Sequence, residues 1–220
     1  SDFVIEQELG DKGNFKSYIV SYQSDGLKLR ALMNVPDSPK PANGYPVVIL
    51  NHGFIPPTTY STTNSYKAFA DFYSNNGFLL FKPDYRSHDD SEGEESSAHT
   101  SNDYVVDVLN LISSVKKYKD ADSKNIALWG HSNGGGISLK ALIVSKDIKS
   151  ALLVAGVVAS PQGLMKYWNQ YKDTEASDWI RRTGQTFIDE HGTPESNPDF
   201  YRSISAYEYL DTINIPIAIY

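Results

Sequence analysis

The sequence contains no cysteine. This absence excludes disulfides, thiolate nucleophiles and cysteine-ligated zinc sites. It leaves the compartment open, because a chain without cysteine suits the cytoplasm and the exterior of a bacterial cell equally. The first residue is Ser1 rather than methionine. A cytoplasmic protein and a secreted protein whose leader has been removed therefore both fit the sequence.

Positive charge and long apolar runs are also scarce. Twenty Lys and Arg residues stand against 27 Asp and Glu residues, which gives a net charge of −7 at pH 7. An acidic chain without a basic cluster is a poor match for nucleic acid, whose phosphates require a positive surface. No stretch of about 18 apolar residues occurs, so we predict no membrane span. The composition is otherwise typical of a soluble globular protein.

The residues that are present alternate between apolar strands and amphipathic helices. A hairpin is predicted over Lys16–Asn34, with its turn at Asp25-Gly26. Further strands are predicted at residues 46–51, 78–83, 125–129, 151–155 and 213–220, and helices at residues 64–76, 101–119 and 137–144. Buried strands separated by helices predict an α/β fold with a mostly parallel sheet, in a single domain over residues 1–220.

Residues 161–210 interrupt this alternation with a long polar and aromatic stretch. We interpret the stretch as a small helical cap inserted between two strands, and the alternative is a peripheral pair of helices with no role at the site. Its aromatic side chains are expected to form the cap's own core, with a substrate pocket as the second possibility. These aromatic residues are Tyr167, Trp168, Tyr171, Trp179, Phe187, Phe200 and Tyr201.

The motif Gly130–Gly134, with the sequence G-H-S-N-G, is the strongest indication of function. It follows an apolar strand that ends at Trp129 and precedes a predicted helix, which is the strand–turn–helix context of a nucleophile elbow. Glycine permits a turn so tight that the central serine adopts a strained backbone conformation and exposes its hydroxyl. Ser132 is therefore predicted to be a covalent nucleophile.

These motifs resemble the α/β-hydrolase superfamily, and in particular the catalytic domain of the prolyl oligopeptidase-like (S9-type) serine hydrolases, which includes small stand-alone esterases. The matching segments are Asn51–Phe54 (NHGF), Asp84–Arg86 (DYR), Ser91–Gly93 (SEG), Gly130–Gly135 (GHSNGG) and Asn197–Ser205 leading into Ile213–Pro216. The resemblance covers nearly the whole chain. Its motifs are shared by many hydrolases, so they indicate the fold more sharply than the substrate.

The resemblance implies a serine esterase that works through an acyl-enzyme, without a cofactor or metal, on a small ester or a short peptide. Phe54 and Asn133 occupy the positions whose backbone N–H groups form the oxyanion hole. The supporting residues of the two motifs are His52, Gly53, Gly130, His131 and Gly134.

A serine nucleophile also needs a histidine base and an acid, which in this superfamily follow it in the order serine, acid, histidine. We expect both beyond Tyr220, in a remaining C-terminal segment of the same hydrolase that completes the fold. His191 follows Ser132 but lies in the predicted cap. Asp178, Asp189 and Asp211 are interpreted as solvated charges or helix caps. The histidines that precede the serine are His52, His88, His99 and His131.

Two other functions stay open. A peptidase of the same family is one, although the N-terminal propeller that such peptidases often carry is not recognisable, which favours an esterase. A non-catalytic binding protein with a hydrolase fold is the other.

The loop after the strand at residues 78–83 is strongly acidic. A solvated surface loop is the preferred interpretation, and a cation site or attraction of a substrate amine are the alternatives. Arg86 is expected to hold this loop through hydrogen bonds. The acidic residues are Asp89, Asp90, Glu92, Glu94 and Glu95.

Overall fold

The computed structural model describes residues 3–96, 101–170 and 184–220. Eight strands in these ranges form one sheet, in the order β1-β2-β3-β5-β4-β6-β7-β8. The strands are β1 Val4–Asp11, β2 Phe15–Ser24, β3 Leu27–Pro36, β4 Tyr45–Asn51, β5 Leu79–Pro83, β6 Ala121–His131, β7 Ile148–Val154 and β8 Ile217–Ile219. The helices are α1 Lys67–Asn75, α2 Asp103–Val115, α3 Asn133–Val144, α4 Pro161–Gln170, α5 at residues 184–191 and α6 Pro198–Ile204, followed by a 3-10 helix at Tyr207–Thr212.

The first three strands form the antiparallel side of the sheet. The predicted hairpin is confirmed, since β2 and β3 pair from Phe15 opposite Pro36 to Ser24 opposite Leu27. Its turn has positive φ at both central residues, as a two-residue hairpin turn of this type requires. The sequence did not predict β1, because most of its side chains are exposed and its polar residues show no buried alternation.

The remaining strands run parallel, and their register positions the site. In β4 and β6, Val48 lies opposite Ala127 and Asn51 lies opposite Gly130. Ligands of open α/β sheets bind at the carboxyl ends of the strands, where loops from neighbouring strands meet. This register therefore places the segment after Asn51 beside the turn that contains Ser132.

Helices cover both faces of the sheet. Residues of α2 and α3 contribute to a large apolar core on one face, while Ala70 of α1 belongs to a smaller cluster with Trp129 on the other. Two helices are shorter than predicted, since α1 spans Lys67–Asn75 and α2 spans Asp103–Val115. Within the described ranges, no helix has the length and apolar character needed to cross a bilayer.

The segment at residues 161–210 lies between β7 and β8, and its regular elements in the described ranges are helices. Phe187, Tyr201 and Ile204 form a buried cluster of their own, with Met165 and Phe200 packed against it. These aromatic side chains thus make a local core, as expected. Tyr171, Asp178 and Trp179 lie outside the described residues. That the segment caps the site remains a prediction.

Arg86 anchors the loop after β5 through a buried ion pair. Its Nε donates to Oδ2 of Asp107 at 3.1 Å and its Nη2 donates to Oδ1 at 2.8 Å. Asp107 lies on α2, is fully buried and also accepts from the Ser24 hydroxyl at 2.8 Å. The Asp107 carboxylate therefore joins β2, α2 and the loop after β5. The prediction that Arg86 holds this loop through hydrogen bonds is confirmed.

Replacing this carboxylate should destabilise the fold strongly. Removing one partner of a buried ion pair typically costs about 3–5 kcal/mol, because the other charge is left uncompensated. We expect Asp107→Ala to lower the free energy of unfolding by that amount in urea denaturation. Asp103→Ala is the matched control, because Asp103 lies on the same helix, 3.3 Å from Arg86 Nη1, but is 46% exposed. It should cost about 1 kcal/mol or less. Equal losses for the two variants would contradict the assignment.

Candidate active site

The candidate site lies at the carboxyl ends of β4 and β6, where glycines let the first turn of α3 pack directly on the backbone. A Cβ on Gly134 would lie 2.0 Å from the carbonyl oxygen of Asn51. A Cβ on Gly130 would lie 2.4 Å from the Gly134 oxygen. The Asn51 side chain reinforces this contact by donating to the Ser138 hydroxyl at 2.8 Å, which in turn donates to the Gly134 carbonyl at 2.7 Å. The first turn of α3 is thereby fixed against the end of β4.

Ser132 occupies the turn between β6 and α3 and is partly exposed. Its φ of 52° and ψ of −118° lie in a region that residues with a side chain rarely occupy. Its N–H donates to Val154 at 3.0 Å, and its carbonyl accepts from Gly135 at 2.9 Å and from Val157 at 3.1 Å. The surrounding backbone therefore holds Ser132 in this conformation, directly before the N-terminus of α3.

The loop after β4 lies against Ser132. A Cβ on Gly53 would lie 2.6 Å from the Tyr66 hydroxyl and 3.2 Å from the Ser132 Cβ, so any larger residue would have to displace these side chains. Phe54 follows Gly53 and has a side chain that is 56% exposed, whereas the Asn133 side chain is buried. The backbone amides of Phe54 and Asn133 thus belong to the two segments that meet at this point.

The Tyr66 hydroxyl links these two segments. The Gly53 N–H donates to it at 2.9 Å, and the same hydroxyl is hydrogen-bonded to Nδ1 of His131. Tyr66 falls within the helix predicted over residues 64–76, but the structure places it directly before α1. No local signal marks its role, because its partners come from elements that are distant in the chain.

His52 is a structural residue of the loop rather than a free base. Its Nδ1 is 2.8 Å from the Gly53 carbonyl, and its ring packs against Tyr60 and Tyr85 at centroid distances of 4.6 and 4.3 Å. Burial holds the pKa of His52 well below its usual value, although the bond to Gly53 acts in the opposite direction. The imidazole is therefore neutral at physiological pH.

Two other histidines are also engaged near this loop. His88 is buried, and its ring nitrogens lie 3.1 Å from the carbonyl oxygens of Arg86 and Ile55. It therefore connects the loop after β5 to the loop after β4. His131 stacks on Trp129 in addition to its bond with Tyr66.

Among the residues that the structure describes, no histidine or carboxylate is hydrogen-bonded to Ser132. His191 stacks on Phe200 in the segment at residues 161–210. Asp189 accepts from Gln185 at 2.8 Å, and Asp211 is exposed in the 3-10 helix. His99 and Asp178 lie outside the described residues.

A buried polar cluster at the end of β5 supports the loop after β4. The Lys82 ammonium donates to the Ser65 carbonyl at 2.7 Å, and Asp84 accepts from the hydroxyls of Tyr60 and Thr62. Burial raises the pKa of Asp84 to about 6, partly offset by Lys82, and burial lowers the pKa of Lys82 to about 8. The burial of a lysine within an apolar strand could not be predicted from the sequence.

The acidic side chains at residues 89–95 of the loop after β5 are all exposed, as the predicted solvated surface loop requires. Three of them also contact neighbouring elements. Asp89 accepts from the Thr62 N–H at 2.9 Å, Asp90 forms an ion pair with Arg30, and Glu92 accepts from the Lys28 N–H at 2.7 Å. In the described part of the chain, no group of three or more His, Cys, Asp or Glu side chains could hold a metal ion.

The fold is similar to that of solved hydrolases. The acetyl xylan esterase from Paenibacillus sp. R4 has a TM-score of 0.73 at 16% identity, covering 99% of this chain and 72% of that one. The acylaminoacyl peptidase from Pyrococcus horikoshii has a TM-score of 0.68 at 18% identity, covering 94% of this chain and 32% of that one. At such identities the likeness establishes the fold, so the predicted α/β-hydrolase fold is confirmed.

The family follows from the sequence. A family model described as serine aminopeptidase, S33, matches residues 44–196. The chain belongs to this family and is a hydrolase. It is also similar to the uncharacterized peptidase YtmA of Bacillus subtilis (strain 168), with 20% identity over 205 residues that cover 92% of this chain and 70% of that protein. The family match includes both the Gly53 loop and the turn at Ser132.

The glycine contact generates a stability prediction. Gly134→Ala would force a Cβ against the Asn51 carbonyl, a backbone atom that cannot rotate away. We expect the free energy of unfolding to fall by about 3 kcal/mol or more, at the upper end of overpacking costs. Gly163→Ala in α4 is the control, because its nearest neighbour is the Ser160 hydroxyl at 3.2 Å. That variant should stay within about 1 kcal/mol of the wild type in urea denaturation. Similar losses for both variants would argue against the close contact.

Proposed function

We propose that this protein is a serine hydrolase that cleaves carboxylic esters through an acyl-enzyme on Ser132. The observation that carries the proposal is the backbone of Ser132, with φ of 52° at the N-terminus of α3 and beside Gly53. Strain of this kind costs on the order of 1–3 kcal/mol and tends to persist where function requires it. Three backbone hydrogen bonds, to Val154, Gly135 and Val157, hold Ser132 in this conformation.

The Ser132 hydroxyl attacks the ester carbonyl and transfers its proton to a histidine base. Negative charge then develops on the carbonyl oxygen, where the backbone N–H groups of Phe54 and Asn133 stabilise it. The N-terminus of α3 adds a favourable dipole. The tetrahedral intermediate expels the alcohol, which takes up the proton from histidine. Water then hydrolyses the acyl-enzyme by the same steps and regenerates Ser132.

We place the base and the acid in polypeptide beyond Tyr220. Each described histidine is engaged with carbonyl oxygens, Tyr66 or aromatic rings rather than with Ser132. His99 precedes the serine in the chain, whereas the superfamily order puts the histidine after it. The same order places the acid in the loop that follows β8.

A peptidase is the second candidate, and the description of the matching family as serine aminopeptidase favours it. The ester proposal is supported by the acetyl xylan esterase, whose likeness extends over 99% of this chain. Both reactions use the same nucleophile and oxyanion hole, so the distinction lies in the leaving group. Comparing p-nitrophenyl acetate with aminoacyl-p-nitroanilides on the full chain, meaning residues 1–220 together with the proposed polypeptide that carries the base and the acid, separates them. A kcat/KM at least tenfold higher for the anilides would replace the ester proposal with the peptidase.

The nucleophile has a direct test in the full chain. We expect Ser132→Ala to lower kcat for p-nitrophenyl acetate by about 10⁴-fold or more, because the covalent step is lost. Labelling by a fluorophosphonate probe should disappear as well. Ser145→Ala, just beyond the opposite end of α3, is the control and should retain both activities. Labelling that survives in Ser132→Ala would remove Ser132 from this role. Absence of turnover and labelling in the wild type would favour a non-catalytic binding protein.

A further inference from the structure

Tyr66 connects the loop that carries Phe54 to the turn that carries Ser132. Its oxygen accepts from the Gly53 N–H at 2.9 Å and is hydrogen-bonded to Nδ1 of His131. Its backbone has φ of 58°, a left-handed conformation that is uncommon for a residue with a large side chain. The chain thus adopts an unfavourable conformation directly before α1, and the result is a phenol placed between two segments of the site.

The direction of these hydrogen bonds follows from the chemistry of the groups. A phenol has one proton to donate and can accept two hydrogen bonds. Burial raises the pKa of Tyr66, against an opposing effect of the Gly53 amide, so the hydroxyl keeps its proton at neutral pH. Because the oxygen accepts from Gly53, the Tyr66 proton is available for Nδ1 of His131 in the tautomer that carries the imidazole proton on Nε2.

We propose that Tyr66 is a positioning residue that fixes the oxyanion hole against the nucleophile. Its hydroxyl holds the amide of Gly53, and the next amide in the chain is the Phe54 N–H that binds the oxyanion. A Cβ on Gly53 would lie 2.6 Å from the Tyr66 hydroxyl and 3.2 Å from the Ser132 Cβ. The Tyr66 hydroxyl, Gly53 and Ser132 are therefore packed directly against one another. This inference rests on the proposed function of Ser132.

Packing of the Tyr66 ring is a separate role that must be distinguished from that of its hydroxyl. The ring lies 6.0 Å from Trp129 and 5.9 Å from Phe69 between centroids. Tyr66→Phe preserves these contacts and removes only the hydroxyl. Tyr73 on α1 offers a matched control, since it is half-buried and packs on Phe78. Its hydroxyl has no hydrogen bond to any residue that the structure describes.

The experiment measures hydrolysis of p-nitrophenyl acetate by the full chain, with kcat normalised to sites titrated by a fluorophosphonate. We expect Tyr66→Phe to lower kcat about tenfold and to leave KM within twofold, because the oxyanion forms only in the transition state. Complete loss of one oxyanion donor costs about 10²–10³, so misplacement of a retained donor should cost less. Tyr73→Phe should match the wild type in both parameters.

A second measurement reports on the oxyanion hole alone. A trifluoromethyl ketone forms a hemiketal oxyanion with the serine, so Tyr66→Phe should weaken its inhibition by the same factor of about ten. His131→Leu removes only the bond between Tyr66 and His131 and should therefore weaken inhibition by a smaller factor. Its combination with Tyr66→Phe should match Tyr66→Phe alone, because that variant removes this bond together with the bond to Gly53. His131→Asn retains an acceptor near the Nδ1 position and should restore most of the activity.

Two results are distinguishable. If the wild type is labelled at Ser132 but Tyr66→Phe equals Tyr73→Phe in kcat and in inhibition, the role of Tyr66 is overturned and the proposed function stands. If the wild type shows neither labelling nor turnover, both are overturned. If urea denaturation shows that Tyr66→Phe is unfolded, His131→Leu is compared with His131→Asn instead. Equal kcat and equal inhibition for these two variants would overturn the role of Tyr66.

Discussion

The carbonyl oxygen of Asn51 would lie 2.0 Å from any Cβ carried by residue 134, and the candidate site depends on this contact. Only glycine lets the first turn of α3 approach the end of β4 so closely. The parallel register of β4 and β6 creates the approach by setting Asn51 opposite Gly130. A buried bond from Asn51 to Ser138 then holds it. Without this contact, the Gly53 loop would not lie against Ser132.

The cost of the strained turn is offset by the rigid structure around it. Ser132 is held by backbone hydrogen bonds to Val154, Gly135 and Val157. The loop after β4 is held by buried side chains that have no proposed part in the reaction. Nε2 of His88 lies 3.1 Å from the Ile55 carbonyl oxygen, and Lys82 donates to the Ser65 carbonyl. Such preorganisation is what an oxyanion hole requires, since its donors must be in position before the charge develops. Buried hydrogen bonds of Asn51, His88 and Lys82 contribute to this rigidity.

How far the sequence predicts the structure depends on whether a contact is local. Asp25-Gly26 predicted its hairpin correctly because the turn type is set by those two residues. The apolar run that became β4 and the glycines around Ser132 were equally direct signals. By contrast, β1 has exposed side chains and no pattern, and Tyr66 meets Gly53 and His131 only once the sheet has formed. Arg86 could be assigned to its loop, but its partner Asp107 on α2 could not be identified from spacing.

We propose that Ser132, Phe54 and Asn133 form one reacting centre. A crystal structure of the full chain after reaction with a fluorophosphonate would show whether they do. We expect a covalent bond from phosphorus to the Ser132 oxygen, with the phosphoryl oxygen about 3 Å from the backbone nitrogens of Phe54 and Asn133. An adduct on another residue, or a phosphoryl oxygen pointing away from both amides, would show that these residues do not act together.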